Sequence, residues 1–101
     1  MGGVAGLVVA AGRGSRMPGD APKQYRLLAG RPILAHSLAR LSGHTRVGMV
    51  VAAIHPDDRA LYDEAAAGLD LLPPVLGGRT RQESVRAGLE RLAEAGAERV
   101  L

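Results

Sequence analysis

Two stretches of this sequence combine glycine with cationic side chains in the way that anion binding requires. The first is Gly12-Arg13-Gly14-Ser15-Arg16, followed further on by Pro22-Lys23. A Gly-x-Gly turn lets backbone N–H groups approach a phosphate closely, and a cation directly after it meets the negative charge. The second is Gly77-Gly78, which leads through Arg79 and Thr80 to Ser84. Here a glycine pair precedes a helix start, whose free N–H groups and positive dipole end suit an anion or the polar edge of a base. Ser84 falls in the first turn of that helix with Gly88 one turn on, so a flat ligand has room to approach.

Lys23 stands out by count. Of 13 basic residues, it is the one Lys. In a chain so biased towards Arg, it marks a position suited to a compact ammonium acting as a point charge on a phosphoryl oxygen. Read singly, each feature also fits a plain structural role: a tight turn with a solvated Arg, a surface lysine, a loop before a helical Ser. Better-known phosphate loops are excluded. Gly12-x-Gly14 lacks the third glycine of the dinucleotide fingerprint, having Met17 there, and no Gly-Lys-Ser/Thr occurs. The histidines do not form a ligand set: His36 lies within a helix, His44 in a turn and His55 before Pro56. Asp57-Asp58 reads as helix capping rather than as an acid–base pair.

Composition narrows the partners. The 101 residues contain no Cys, which removes disulfides, thiolate nucleophiles and Cys-ligated metals. The net charge of +3 comes with two aromatic residues, Tyr25 and Tyr62, too few for the stacking platforms of single-strand binders. The charge is also local, in residues 13–31 and around Arg79, Arg81 and Arg86, which suits a small polyanion rather than a nucleic-acid backbone. The longest apolar run, Val4 to Ala11, is broken by Gly6 and falls far short of the ~20 residues that span a bilayer. No Lys or Arg precedes it as in a signal peptide. A soluble, cytoplasmic α/β protein is expected, with neither nucleic acid nor membrane as partner.

The elements that must hold these loops can be read from apolar runs and punctuation. Val4–Ala11 and Val47–Ile54 have the continuous, Val-rich character of strands buried on both faces. Gly12 to Arg31 reads as one long loop, with Met17 and Tyr25 packing it down. Pro32 opens a helix at its first position, with Ile33, Leu34, Leu38 and Leu41 on its apolar side and Gly43 as its end. Asp57 is the expected N-cap of a second helix, carrying Leu61, Tyr62 and Ala65 to about Gly68. Leu71–Leu76 reads as a third strand, which Pro73 and Pro74 shorten or confine to an edge. Thr80-Arg81-Gln82-Glu83 fits a capping box for a helix running to about Gly96, with Val85, Leu89 and Leu92 inward. Ala97–Leu101 begins a fourth strand. This order predicts a three-layer, doubly wound, mostly parallel sheet, incomplete in this chain. An apolar strand start as the last element leads us to expect the N-terminal part of a longer protein. In such sheets ligands bind beyond the carboxyl ends of the strands, where both glycine-rich stretches fall.

Taken in chain order, Ala10-Ala11-Gly12-x-Gly14-x-Arg16-Met17, Pro22-Lys23-Gln24-Tyr25 and Gly77-Gly78-x-x-Arg81-Gln82-x-Ser84-Val85 resemble the 2-C-methyl-D-erythritol 4-phosphate cytidylyltransferases. The first motif is shared by many nucleotidyltransferases; the other two are more specific. The resemblance implies a Rossmann-like nucleotidyltransferase fold. It also implies transfer of CMP from CTP to methylerythritol 4-phosphate, with pyrophosphate released, Mg²⁺ required and a homodimeric full-length protein. By resemblance, Arg16 and Lys23 would stabilise charge on the α-phosphate. Ala10, Ala11, Gly12 and Gly14 would line the nucleotide, and Gly78 and Ser84 would read the cytosine edge. Arg79, which stands where some members have Asp, joins the nucleotide-binding set, and Val9 stands where many have Pro. The family's acidic metal motif follows the strand that starts at Ala97. The chain therefore contains none of it, would leave Mg²⁺ to substrate phosphates and later residues, and is expected to be inactive alone. Val8-Val9-Ala10-Ala11-Gly12-Arg13 and Ile54-His55-Pro56-Asp57-Asp58 also resemble bifunctional members fused to the cyclodiphosphate synthase. A sugar-1-phosphate nucleotidyltransferase, which shares a glycine-rich loop and a Pro-Lys signature, and a non-catalytic nucleotide-binding or interaction module are the competing readings.

Overall fold

A computed structural model describes residues 4–11 and 23–100, of Lys23 the backbone alone. Its centre is a parallel pair, β1 (Val4–Ala10) and β4 (Val47–Ile54), in register from Ala5 opposite Met49 to Ala10 opposite Ile54. β5 (Val75–Leu76) joins the outer side of β4, and β6 (Arg99–Val100) the outer side of β1, giving a parallel sheet in the order β5-β4-β1-β6.

Side chains leave a strand on alternate faces, and the two faces are filled by different helices. Val4, Val8 and Ala10 of β1 and Val50, Ala52 and Ile54 of β4 share one core. It includes Leu34, Ala35 and Leu38 of α1 (Ile33–Ser42) and Tyr62 and Ala65 of α2 (Arg59–Ala66). Ala5 and Leu7, with Met49 and Val51, pack instead with Leu92 of α3 (Arg81–Glu94). Helices on both faces make the expected three layers and explain why both strands read as unbroken apolar runs. Leu38 and Leu92 are fully buried, one in each layer, and each burial contributes about 1.5–3 kcal/mol.

Several local expectations need correction. The loop expected to run unbroken to Arg31 contains a 3-10 turn, Lys23–Tyr25, and an antiparallel hairpin of β2 (Leu27–Leu28) and β3 (Arg31–Pro32). The Ile33 N–H bonds the Arg26 carbonyl at 2.8 Å, and His36 Nε2 lies 2.7 Å from the Leu28 carbonyl oxygen, so α1 holds the hairpin. Tyr25 does anchor the segment, being buried in the α1–α2 core, whereas Met17 lies outside the described residues. Pro32 is the N-cap of α1 rather than its first helical residue, and Ile33, expected on the apolar side, takes that first position and is exposed. Asp57 does not cap α2; the chain first makes a 3-10 turn, Pro56–Asp58, capped by His55, whose Nδ1 accepts the Asp57 N–H at 3.1 Å.

On α3 the inward residues are Ser84, Gly88 and Leu92, while Leu89 is exposed and Val85 half-buried. Hydrophobicity favoured Leu89, but the closeness of helix to sheet decides. A Cβ at Gly88 would overlap the Leu7 side chain, so only glycine fits without Leu7 moving. Gly88 thus makes room for the core rather than for a ligand. The prolines act as expected: the Leu72 N–H bonds the Val50 carbonyl at 2.8 Å, but Pro73 and Pro74 cannot donate, and strand pairing resumes only at Val75. Among the described residues no helix is long and apolar enough to cross a membrane.

Gly77, directly after β5, bonds the Ile54 carbonyl through its N–H at 2.8 Å, and a Cβ there would overlap the Ala11 methyl and the Ser84 hydroxyl. Both neighbours are short and buried and cannot swing aside. Gly77→Ala is therefore expected to lower stability by about 1–3 kcal/mol, measured by denaturant unfolding; an unchanged midpoint would show that the layers can part freely. Burial raises the Tyr62 phenol above its usual 10.0, with the Arg59 charge lowering it in part and Asp63 adding to the rise. An acid that holds its proton more tightly when folded lends stability that is complete below the unfolded pKa and lost as pH climbs through the folded one. Melting temperature should therefore fall above pH 10.0, the unperturbed value, and fall less steeply in Tyr62→Phe. Identical alkaline profiles would remove Tyr62 from that transition.

Candidate nucleotide site

The carboxyl ends of β1, β4 and β5 open onto a cleft of about 570 Å³, within the usual range for a small-molecule site. Ala10 and Ala11 at the end of β1 and His55 after β4 line one part, with Gln24 beside them. Gly77, Gly78, Arg79, Thr80, Arg81 and Ser84 line the other. The cleft has this composition because β1 and β4 are apolar throughout, so polar and charged groups appear only where the strands end.

Of the residues singled out from sequence, the cleft brings together Ala10, Ala11, Gly78, Arg79 and Ser84. Gly12, Gly14 and Arg16 lie outside the described residues, as does the side chain of Lys23, whose backbone opens the 3-10 turn next to Gln24. Gln24 itself was not singled out for the site. Its Nε2 donates to the Ala10 carbonyl at 2.8 Å, tying the segment after the glycine-rich loop to the end of β1. No sequence pattern points to a bond spanning 14 positions; the signal that was available is only its place beside Pro22-Lys23. Each histidine serves the backbone: His36 at the Leu28 carbonyl, His44 accepting the Arg46 N–H and His55 accepting the Asp57 N–H.

The Gly77–Thr80 loop is tied to α3 by two successive side chains. The Ser84 hydroxyl accepts the Gly78 N–H at 3.1 Å and donates to the Thr80 carbonyl at 3.2 Å. Glu83 Oε2 accepts the N–H groups of Arg79 and Thr80, the latter at 3.1 Å. Thr80 Oγ1 returns the bond, accepting the Glu83 N–H at 3.1 Å, so the capping box forms as its spacing predicts. Three consecutive loop N–H groups, at Gly78, Arg79 and Thr80, are thus engaged by the protein's own side chains. A helix start occupied in this way offers a phosphate fewer free donors. Sequence alone left anion and base edge open at this point; the geometry favours the base edge.

Among the described residues no three His, Asp or Glu side chains gather as metal ligands. These residues do not of themselves form a Mg²⁺ cage.

Comparison with known proteins agrees with the resemblance. The family model for 2-C-methyl-D-erythritol 4-phosphate cytidylyltransferase, IspD, matches residues 4–101. The chain is 60% identical over 95 residues to the bifunctional enzyme IspD/IspF of Paramagnetospirillum magneticum, covering 94% of this chain and 25% of that protein. It is 52% identical over 99 residues to the 2-C-methyl-D-erythritol 4-phosphate cytidylyltransferase of Cereibacter sphaeroides, covering 96% of this chain and 44% of that one. The chain therefore spans about a quarter of the bifunctional relatives and under half of the shorter one. In fold it matches the crystal structure of 4-diphosphocytidyl-2C-methyl-D-erythritol synthase from Anaerococcus prevotii, with a TM-score of 0.78 at 23% identity over 98% of this chain and 41% of that one. A further structure of a 4-diphosphocytidyl-2C-methyl-D-erythritol synthase superposes with a TM-score of 0.74 at 27% identity, over 95% of this chain and 40% of that one. With a doubly wound sheet, a cleft at its carboxyl edge and a family match from residue 4 to residue 101, this chain belongs to the 2-C-methyl-D-erythritol 4-phosphate cytidylyltransferase family.

Proposed function

We propose that residues 1–101 supply the CTP-binding, N-terminal part of a single cytidylyltransferase domain. The full protein would transfer CMP from CTP to 2-C-methyl-D-erythritol 4-phosphate. The observation that carries this is the cleft that joins Ala10, Ala11, Gly78 and Ser84 in a chain of this family. In the reaction, a phosphate oxygen of the acceptor attacks the α-phosphorus of CTP. A new P–O bond forms, the bond from the α-phosphorus to the bridging oxygen breaks, and its electrons leave with pyrophosphate. Such a transfer needs positioning and charge stabilisation rather than a protein nucleophile, and the chain has no Cys to supply a thiolate.

The residues divide the nucleotide between two regions. The Gly78 N–H and the Ser84 hydroxyl are bonded to each other at 3.1 Å, so the polar edge of cytosine would bind there by exchanging that bond for its own. A base with a different edge would break that bond without replacing it at the buried Ser84 hydroxyl, which is the stronger form of discrimination. Because the start of α3 is occupied by its own side chains, the phosphates would belong at the Ala10–Ala11 end of the cleft, which Gly12, Gly14 and Arg16 follow in sequence. There Arg16 and Lys23 would meet charge on the α-phosphate, and Arg79 adds a cation at the cleft edge. Mg²⁺, which this chemistry calls for, would be met by the substrate's phosphates and by residues beyond this chain. The partners in this reading are CTP and methylerythritol 4-phosphate, with neither nucleic acid nor membrane, in a cytoplasmic homodimer.

A protein of family length that carries this segment is expected to release pyrophosphate from CTP only when methylerythritol 4-phosphate is present. Preference for UTP or GTP over CTP, in turnover or in protection from heat, would move the reading to a sugar-1-phosphate nucleotidyltransferase. In the same assay Lys23→Ala and Arg16→Ala should each cut turnover by at least ~10²-fold, the scale of losing one oxyanion donor. Near-normal turnover in either variant would take that residue out of the mechanism.

A further inference from the structure

We propose that Glu83 is a positioning residue for nucleotide recognition, acting through the Gly77–Thr80 loop, an inference that rests on the function proposed above. Its carboxylate does more than close a capping box. In a capping box the carboxylate reaches back to the N-cap N–H alone, here that of Thr80. Glu83 Oε2 also takes the N–H of Arg79, one residue earlier. The side chain is pressed against the loop as well: a Cβ added at Gly78 would overlap Glu83 Cβ and Oε2. Gly78 is therefore the residue that lets the carboxylate come this close, and the carboxylate in turn fixes the two peptides that follow it. The neighbouring Ser84 hydroxyl holds the Gly78 N–H itself. Glu83 thus sets the loop backbone in which the Gly78 N–H and the Ser84 hydroxyl, bonded to each other, would meet the base edge.

A second consequence concerns orientation. With the Arg79 and Thr80 N–H groups committed to Glu83, a triphosphate placed there would find fewer free donors. Glu83 would therefore both shape the base end of the cleft and take up donors that a reversed nucleotide, phosphates first, would otherwise use.

Two variants of the family-length protein test this. Glu83→Ala removes the acceptor, whereas Glu83→Gln keeps an acceptor oxygen at the same reach without the charge. In Glu83→Ala, KM for CTP should rise by about tenfold or more, the equivalent of losing about 1.4 kcal/mol of binding, with kcat changed far less. Preference for CTP over UTP should narrow, and amide hydrogen exchange at Arg79 and Thr80 should accelerate. Glu83→Gln should restore slow exchange and a KM within about threefold of the parent, since Gln also serves in this motif. If Glu83→Ala does not fold, Glu83→Asp, whose carboxylate falls one methylene short of the loop, takes its place with the same expectations. Wild-type KM and nucleotide preference in the variant lacking the acceptor would overturn the proposal, as would Glu83→Gln behaving like Glu83→Ala. Parent protein that neither binds nor turns over CTP would overturn the proposed function and this inference with it. Failure of the variants alone, with an active parent, would overturn only the role of Glu83.

Discussion

The pairing of β1 with β4, both apolar on both faces, is the constraint from which the rest of this structure follows. A parallel pair cannot be joined by a tight turn, so the chain must cross over between its strands, and α1 does so on one face. A strand covered on both faces has no place for a polar side chain until it ends. Polar groups are thereby driven to the ends of the strands, and the carboxyl ends of β1, β4 and β5 open onto one cleft. The site is a product of the core as much as of its own residues.

Much of this was legible in the sequence because burial on two faces leaves a strong trace. Val4–Ala10 and Val47–Ile54 could be read to within a residue, and the Thr80–Glu83 spacing named its own helix start. The hairpin at Leu27–Pro32 left no such trace: two-residue strands are too short for alternation to show. The inward face of α3 was misread for a different reason. Leu89 is more apolar than Gly88, but the available depth between helix and sheet is a property of Leu7, some eighty positions away. The Ser84-Gly88-Leu92 spacing held the signal, since small residues one turn apart mark a close approach.

The site divides along the same line. Residues whose role is backbone geometry, such as Gly78, could be marked by type alone. Residues whose role is a specific partner could not: Gln24 matters because the Ala10 carbonyl lies within its reach, and His55 because it caps the turn that Asp57 was expected to cap. Glu83 was visible as a cap, but its hold on Arg79 depends on how the two glycines bend the loop towards it.

The prolines beside β5 bear on how this sheet can grow. In an extended chain, successive N–H groups point to opposite sides, so Pro73 and Pro74 remove one donor towards β4 and one towards the outside. What remains of β5 is the pair Val75–Leu76, too short to act as a template for another strand. Recruitment of a stray chain at that border is discouraged in the same stroke. Two residues without a backbone donor thus guard one border of the sheet.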